Sequence, residues 1–511
     1  MLTSYLLIFR LVGDQASKIE APLNPNTINP GVANANYAVR GKLAELATKI
    51  RKELESGSLN YPFKTTIQAN LGNPQGCGQR PITFFRQVLC LAEYPEILDA
   101  PGDLLKECFM PDATKKAKWL LQHMGSLGAY SSNSGVEQIR ESVSTFISSR
   151  DRYPSCPNDI FLTCGAFEGM LTALTLISGG SQRNERTGVL LPVPFYPVYL
   201  ALLSALALNP IPYYLNEEQG WAMPSGKEFA SIIRQSKSRG ITPRCIIIIN
   251  PNNPTGAVYG QPHLESVIEL AAEERLLLLA DEVYQENVFP PSEFKSCKFA
   301  LRSLQATHAM DEKYSTLQLI SLQSVSKGMV GEGGQRGGYF EAAGFSPFCK
   351  QQIQKLVTYT LQPTTVGQVL IECMVNPPQP GQASYPQYKQ EYDSIFQRLK
   401  QKAEALYDAF KRMPGIVCQA PRGAIYEFPQ VQLPPAAVAE AMSCGESPDT
   451  WYCMEMLKAT GICVVPGSGF GMSNGTIDGK IWFRITFLGE GEEWIAQLEN
   501  YQSDFMARFR N

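Results

Sequence analysis

The chain has 511 residues, 44% apolar and 18% charged, with a formal net charge of −3. That length exceeds one compact core and predicts two domains, and the composition is that of a globular chain, not a disordered one. The charge offers no basic field for nucleic acid or anionic lipid, and without a run of about 18 apolar residues no spanning helix is expected.

In chain order, "MLTSYLLIFRLVGDQ" is apolar but short, and Arg10 interrupts it. It lacks the basic residues and the small-residue cleavage site of a secretory signal. The expectation is a cytoplasmic protein, with a mitochondrial one as the alternative if residues 1–20 are a targeting segment. Residues 1–104 mix helical stretches with Pro/Gly-rich loops. They are assigned to an N-terminal arm and part of a small domain.

From about residue 159 the pattern alternates. "DIFLTC", "TGVLLPV", "CIIIIN", "LLLLA", "LQLISLQS" and "GGYFEA" read as strands. "AFEGMLTALTLIS", "YPVYLALLSALAL" and "LESVIELAAEER" read as helices. Continuous apolar strands joined by helices predict an α/β fold: a mixed, mostly parallel sheet covered on both faces, over residues 105–380. After the Pro-rich "NPPQPGQASYPQ" comes a long polar helix. The strands "GAIYEFP", "GICVVPG" and "IWFRITFL" follow. Residues 381–511 are therefore read as a smaller α+β domain.

The thirteen cysteines form no C-x-x-C and often sit in apolar runs, as buried reduced thiols do. His123, His263 and His308 are far apart, so no zinc-like spacing exists and no metal is expected.

In open α/β sheets, ligands bind beyond the carboxyl ends of the strands. "LTCGAFEG", "PVPFYPVY", "NPNNPTG", "ADEVY" and "SLQSVSKG" all fall at such ends. Lys327 offers a nucleophilic amine among small residues. Asp281 places a carboxylate at the end of an apolar strand, which costs several kcal/mol, roughly, unless a cation pairs with it. Ser324, Ser326 and Arg336 add hydroxyls and a fork donor suited to a phosphate. Tyr196 adds an aromatic face. Singly, each has an ordinary reading: a solvated glycine turn, a buried ion pair, a turn signal, a packed tyrosine. Together they suit a flat, cationic, phosphorylated aldehyde, and pyridoxal 5'-phosphate fits that description.

These residues resemble a known family. "SxxSKG" nine residues before an "RGG" arginine, with "NPxNPTG" and "DEVY" upstream, is similar to the fold-type I class I/II aminotransferases. "ANLGNPQGCGQRPITFFRQVL", "SKGMVGEGGQRGGYFE" and "GICVVPGSGFG" resemble the alanine aminotransferase branch. The likeness runs from about Asn26 to the C-terminus.

The resemblance implies roles. Lys327 is the catalytic residue and holds the cofactor through its amine. Asp281 pairs with the ring nitrogen. Asn253 and Tyr284 hydrogen-bond the phenolic oxygen, and Tyr196 stacks on the ring. Ser324 and Arg336 hold the phosphate, with the backbone of Gly165, Ala166 and Phe167. Tyr130 reaches the phosphate of a neighbouring subunit, which implies a homodimer. Arg484 grips the substrate α-carboxylate, and Gly72 lies in the loop closing over it. The sequence does not show which group binds the distal carboxylate of glutamate, and Arg80 is one candidate outside the roles that the resemblance implies. Phe167 departs from the family's small hydroxyl residue in the phosphate loop, and Val325 from a polar residue between the two serines.

The implied activity is reversible amino transfer from L-alanine to 2-oxoglutarate by a ping-pong mechanism. Glutamate:glyoxylate transfer is the alternative, and a lyase of the same fold a further one.

Overall fold

The computed structural model describes residues 22–33, 41–57, 60–179, 185–472, 478–489, 491 and 493–510. The expectation for residues 1–20 lies outside them. Seven strands form the larger sheet: β1 (Ile160–Thr163), β2 (Arg186–Val193), β3 (Asn209–Tyr214), β4 (Ile241–Ile249), β5 (Leu277–Asp281), β6 (Leu319–Ser324) and β7 (Gly338–Ala343). Their order is β1-β7-β6-β5-β4-β2-β3. β7 pairs antiparallel with both neighbours, and the other pairings are parallel.

The continuous apolar strands are explained by burial on both faces. In β4, Ile246 and Ile248 join the core on one face, and Ile247 and Ile249 join the core on the other. Adjacent side chains of a strand point to opposite faces, so each needs its own helical cover. Each such isoleucine contributes about 2 kcal/mol on burial. The helices Ala166–Ile177, Pro197–Ala205 and Gln261–Glu273 fall in the stretches read as helical.

β3 was not anticipated. Its sequence, "NPIPYY", carries two prolines that cannot donate to a ladder. It is the edge strand, paired only with β2, where a missing donor is tolerated. Its alternating exposure reflects cover on one face only.

A smaller antiparallel sheet contains β8 (Ile416–Val417), β9 (Tyr426–Glu427), β10 (Gln430–Gln432), β11 (Val465–Pro466) and β12 (Lys480–Thr486). β12 is its centre, pairing with β9, β10 and β11. The helices Tyr385–Arg412, Pro448–Thr460 and Glu493–Arg508 share a core with it. The helix Lys42–Glu55 joins the same core through Leu43 and Ile50. The helix Thr83–Glu93 packs elsewhere, with the helices Pro111–Met124 and Thr365–Val375. Among the described residues, no helix is long and apolar enough to cross a membrane.

Candidate active site

Parallel strands end on one side of a sheet, so the loops after β1, β2, β4, β5 and β6 converge there. They meet small-sheet residues around a cleft of about 460 Å³. Of the residues singled out by sequence, Lys327, Asp281, Asn253, Tyr284 and Tyr196 line it. So do Ser324, Arg336, Ala166, Phe167 and Gly72. Arg484 sits behind the wall. Tyr130 is 81% exposed and stands away from the cleft. Arg80 is on a neighbouring cleft with Arg398, which shares Pro74 with this one.

Asp281 is the last residue of β5 and is buried. The Tyr199 hydroxyl donates to it at 3.0 Å, and the Val283 N–H at 3.5 Å. Burial pushes its carboxyl up to about 6, against the pull of those two donors and of the Lys327 charge. No cation is ion-paired to it among the described residues. A positively charged ligand atom would restore the carboxylate.

Lys327 follows β6 by three residues. Its Nζ donates to the Gly72 carbonyl at 2.5 Å and lies 5.8 Å from the centre of the Tyr284 ring. A β-carbon at position 72 would strike both the Lys327 amine and the Tyr426 hydroxyl, so this close approach requires glycine. The Tyr284 hydroxyl donates to the Tyr426 hydroxyl at 3.3 Å.

Arg484, in β12, is only 1% exposed. It donates to Asn253 Oδ1 at 3.0 Å and to the Asn70 carbonyl at 2.6 Å. Its guanidinium stacks on Tyr426 at 4.1 Å and on Phe470 at 5.1 Å. Its Nε has no hydrogen-bond partner among the described residues. A buried cation held only by neutral groups and rings is costly, and a carboxylate is the ligand that relieves the cost.

The third corner is made for an anion. Gly165 has φ +98° and precedes the helix Ala166–Ile177, whose start has no side-chain cap. The first N–H groups of a helix without a side-chain cap are free to bind an anion. A β-carbon on Gly165 would lie 2.7 Å from Arg336 Nη2. That arginine, in left-handed backbone, donates to the carbonyls of Gly333 and Cys164, at 2.9 Å each. Ser324 Oγ lies 2.9 Å from Ser326 Oγ and accepts from the Ser326 N–H at 3.1 Å. Phe167 is 45% exposed at the cleft mouth and supplies no hydroxyl.

Two residues escaped the sequence reading. Tyr199 stands three residues after Tyr196, one helical turn on, so its approach to the same site was legible in principle. Tyr426 lay in a segment read only as a strand, and no local pattern marks it.

Two anchors are therefore on one cleft, a carboxylate wanting a cation and a cradle for a phosphate, and a buried fork wanting a carboxylate lies behind its wall. An amine stands near them. The chemistry of pyridoxal phosphate and an amino acid fits these donors.

Comparison with known proteins places the chain among aminotransferases. The profile for "Aminotransferase class I and II" matches residues 101–494. The mitochondrial alanine aminotransferase of Saccharomyces cerevisiae is 43% identical over 488 residues, covering 95% of this chain and 81% of that one. A protein of the same yeast named "Inactive alanine aminotransferase" is 42% identical, covering 95% and 94%. Among solved structures, an aminotransferase from Escherichia coli superposes with a TM-score of 0.70 at 20% identity, covering 95% of this chain and all of that one.

Proposed function

The chain belongs to the class I and II aminotransferases, and from that premise we propose that it is an alanine aminotransferase. It transfers the amino group of L-alanine to 2-oxoglutarate, reversibly, giving pyruvate and L-glutamate. The observation that supports this reading is the Lys327 amine on one cleft with buried Asp281, with buried Arg484 behind the wall on Asn253 and the Tyr426 ring. A relative named inactive has nearly the same identity as the mitochondrial alanine aminotransferase, so identity alone does not carry activity.

The cofactor of this proposal is pyridoxal 5'-phosphate. When bound, it supplies an electrophilic carbon for the amine and a ring that delocalises the electron pair left at Cα. Asp281 would hold the proton on the ring nitrogen. Asn253 and Tyr284 would hydrogen-bond the ring oxygen, and Tyr196 would cover a ring face. Ser324, Arg336 and the backbone of Gly165, Ala166 and Phe167 would hold the phosphate. Arg484 orients the substrate through its α-carboxylate, a planar grip that a lysine lacks. Lys327 removes the Cα proton as general base and returns it as general acid.

A homodimer belongs to the same reading, since the exposed Tyr130 ring is free to meet a second copy. So do the cytoplasmic location and the division at residues 1–104, 105–380 and 381–511.

The test is an absorption spectrum of the protein supplied with cofactor. L-Alanine is expected to abolish the visible band with release of pyruvate, and 2-oxoglutarate to restore it with release of L-glutamate. No visible band overturns the cofactor assignment. A band indifferent to alanine overturns the substrate. Faster restoration by glyoxylate favours the glutamate:glyoxylate alternative, and release of ammonia or a cyclic product a lyase.

A further inference from the structure

The catalytic reading leaves one buried titratable group in the cleft without a task. Tyr426 is the first residue of β9 and is 3% exposed. Its hydroxyl accepts from Tyr284 at 3.3 Å. Its ring carries the Arg484 guanidinium at 4.1 Å. Its hydroxyl and the Lys327 amine crowd the same side of Gly72, where a single added carbon would collide with both.

A phenol set between two cations and a neighbouring hydroxyl is an unusual arrangement for a core tyrosine. Packing alone would be served by phenylalanine, since the stacking on Arg484 uses only the ring. The hydroxyl is placed instead where charge on Lys327 changes during amino transfer. We propose that Tyr426 is a positioning residue of the reaction, its hydroxyl serving as the proton partner of the Lys327 amine. The proposal rests on the aminotransferase reading.

The step is a proton exchange made when the Lys327 amine turns from the Gly72 carbonyl, its hydrogen-bond partner in the structure, to the Tyr426 hydroxyl on the same side of Gly72. The Nζ–H bond of the Lys327 ammonium breaks and an O–H bond forms on the Tyr426 phenolate, leaving a neutral amine and a neutral phenol. The reverse transfer regenerates the pair. Charge is conserved and nothing is oxidised. In the structure the Tyr284 hydroxyl gives its one hydrogen to the Tyr426 oxygen; with that hydrogen turned to the cofactor's ring oxygen, Lys327 and Arg484 would hold the phenolate.

The titratable groups facing the Tyr426 hydroxyl are Lys327 after β6, Arg484 on β12, Tyr284 after β5 and Cys77 in the loop following Gly72. Burial opposes ionisation, but Lys327, Arg484 and the Tyr284 hydrogen bond together hold the Tyr426 hydroxyl below the ordinary phenol value. Tyr284 moves the other way, pushed up by burial and by Tyr426.

The experiment compares Tyr426→Phe with Tyr426→Leu. Tyr426→Phe keeps the ring under Arg484. It is expected to lower kcat by about 10-fold or more with KM for alanine nearly unchanged, and to remove one limb of the pH profile. Tyr426→Leu removes the ring as well and should also raise KM. Independently, an ultraviolet pH titration of the cofactor-free protein should show one tyrosine ionising below the rest, absent in Tyr426→Phe.

Wild-type kcat and pH profile in Tyr426→Phe would overturn the proposal while leaving the aminotransferase reading intact. So would a titration of the wild-type protein with no early tyrosine, even if the variants fail to fold. Absence of transamination in the wild type would instead overturn the functional reading.

Discussion

The two walls of the cleft are built by opposite means. On the large-sheet wall, each functional side chain lies within a few residues of its own strand end: Asp281 closes β5, Lys327 follows β6, and Asn253 follows β4. On the other wall, partners are remote. Arg484 and the Asn70 carbonyl are 414 positions apart, and Tyr284 and Tyr426 are 142 apart. The first wall is a consequence of local chain direction, and the second of sheet pairing and packing between units. The two also hold charge differently. The large-sheet wall buries an anion without a cation, and the small-sheet wall a cation without an anion. Each is therefore poised for a ligand of the opposite sign.

Removing the amine from the first wall should have the largest effect. Lys327→Ala is expected to abolish transamination with an unchanged circular dichroism spectrum, because its Nζ makes a single hydrogen bond, to Gly72. Near-normal turnover in that variant would break the assignment.

Weakening the second wall comes next. Arg484→Lys loses the fork that bonds Asn253 and Asn70 as well as the flat stacking on Tyr426. A loss of about 3 kcal/mol, on the order of 100-fold in kcat/KM for alanine, is expected. Unchanged kcat/KM would remove Arg484 from the carboxylate role.

The smallest effect sharpens the contrast in charge. Asp281 has a folded-state value of about 6, above the ordinary 3.8. Its stabilising contribution is thus fully present below about 3.8 and lost as pH rises toward 6. At pH 7.5 the protein without cofactor carries the penalty, and Asp281→Asn should stabilise it by about 3 kcal/mol in thermal or denaturant melts. The same variant should bind the cofactor more weakly, and wild-type affinity should fall as pH drops through about 6. A variant that is less stable at pH 7.5 would show that the hydrogen bond from Tyr199, not the buried charge, dominates at this position.

The contrast also explains what could be read in advance. The helix Ala166–Ile177 and strands β1, β2 and β4 to β7 were visible because apolar runs and helical periodicity are local signals. β3 was not, because its two prolines disguise an edge strand whose place is set by its neighbour. Tyr426 was not, because its significance comes from β9 pairing with β12 beside Arg484. Arg80, a candidate for the distal carboxylate, lies after the short helix Gln75–Cys77 on the neighbouring cleft, a placement that local sequence does not reveal.

The sequence by itself determined the layered α/β plan and the identity of the strand-end chemistry, since Asp281, Lys327, Asn253 and Ser324 are placed by the strands that carry them. Only the tertiary structure decided the surroundings of those groups: Tyr199 on Asp281, Gly72 and Tyr426 against Lys327, and Asn253 on Arg484. The physical reason is that charge states and close approaches depend on burial and on partners from distant segments, and neither is written in the local order of residues.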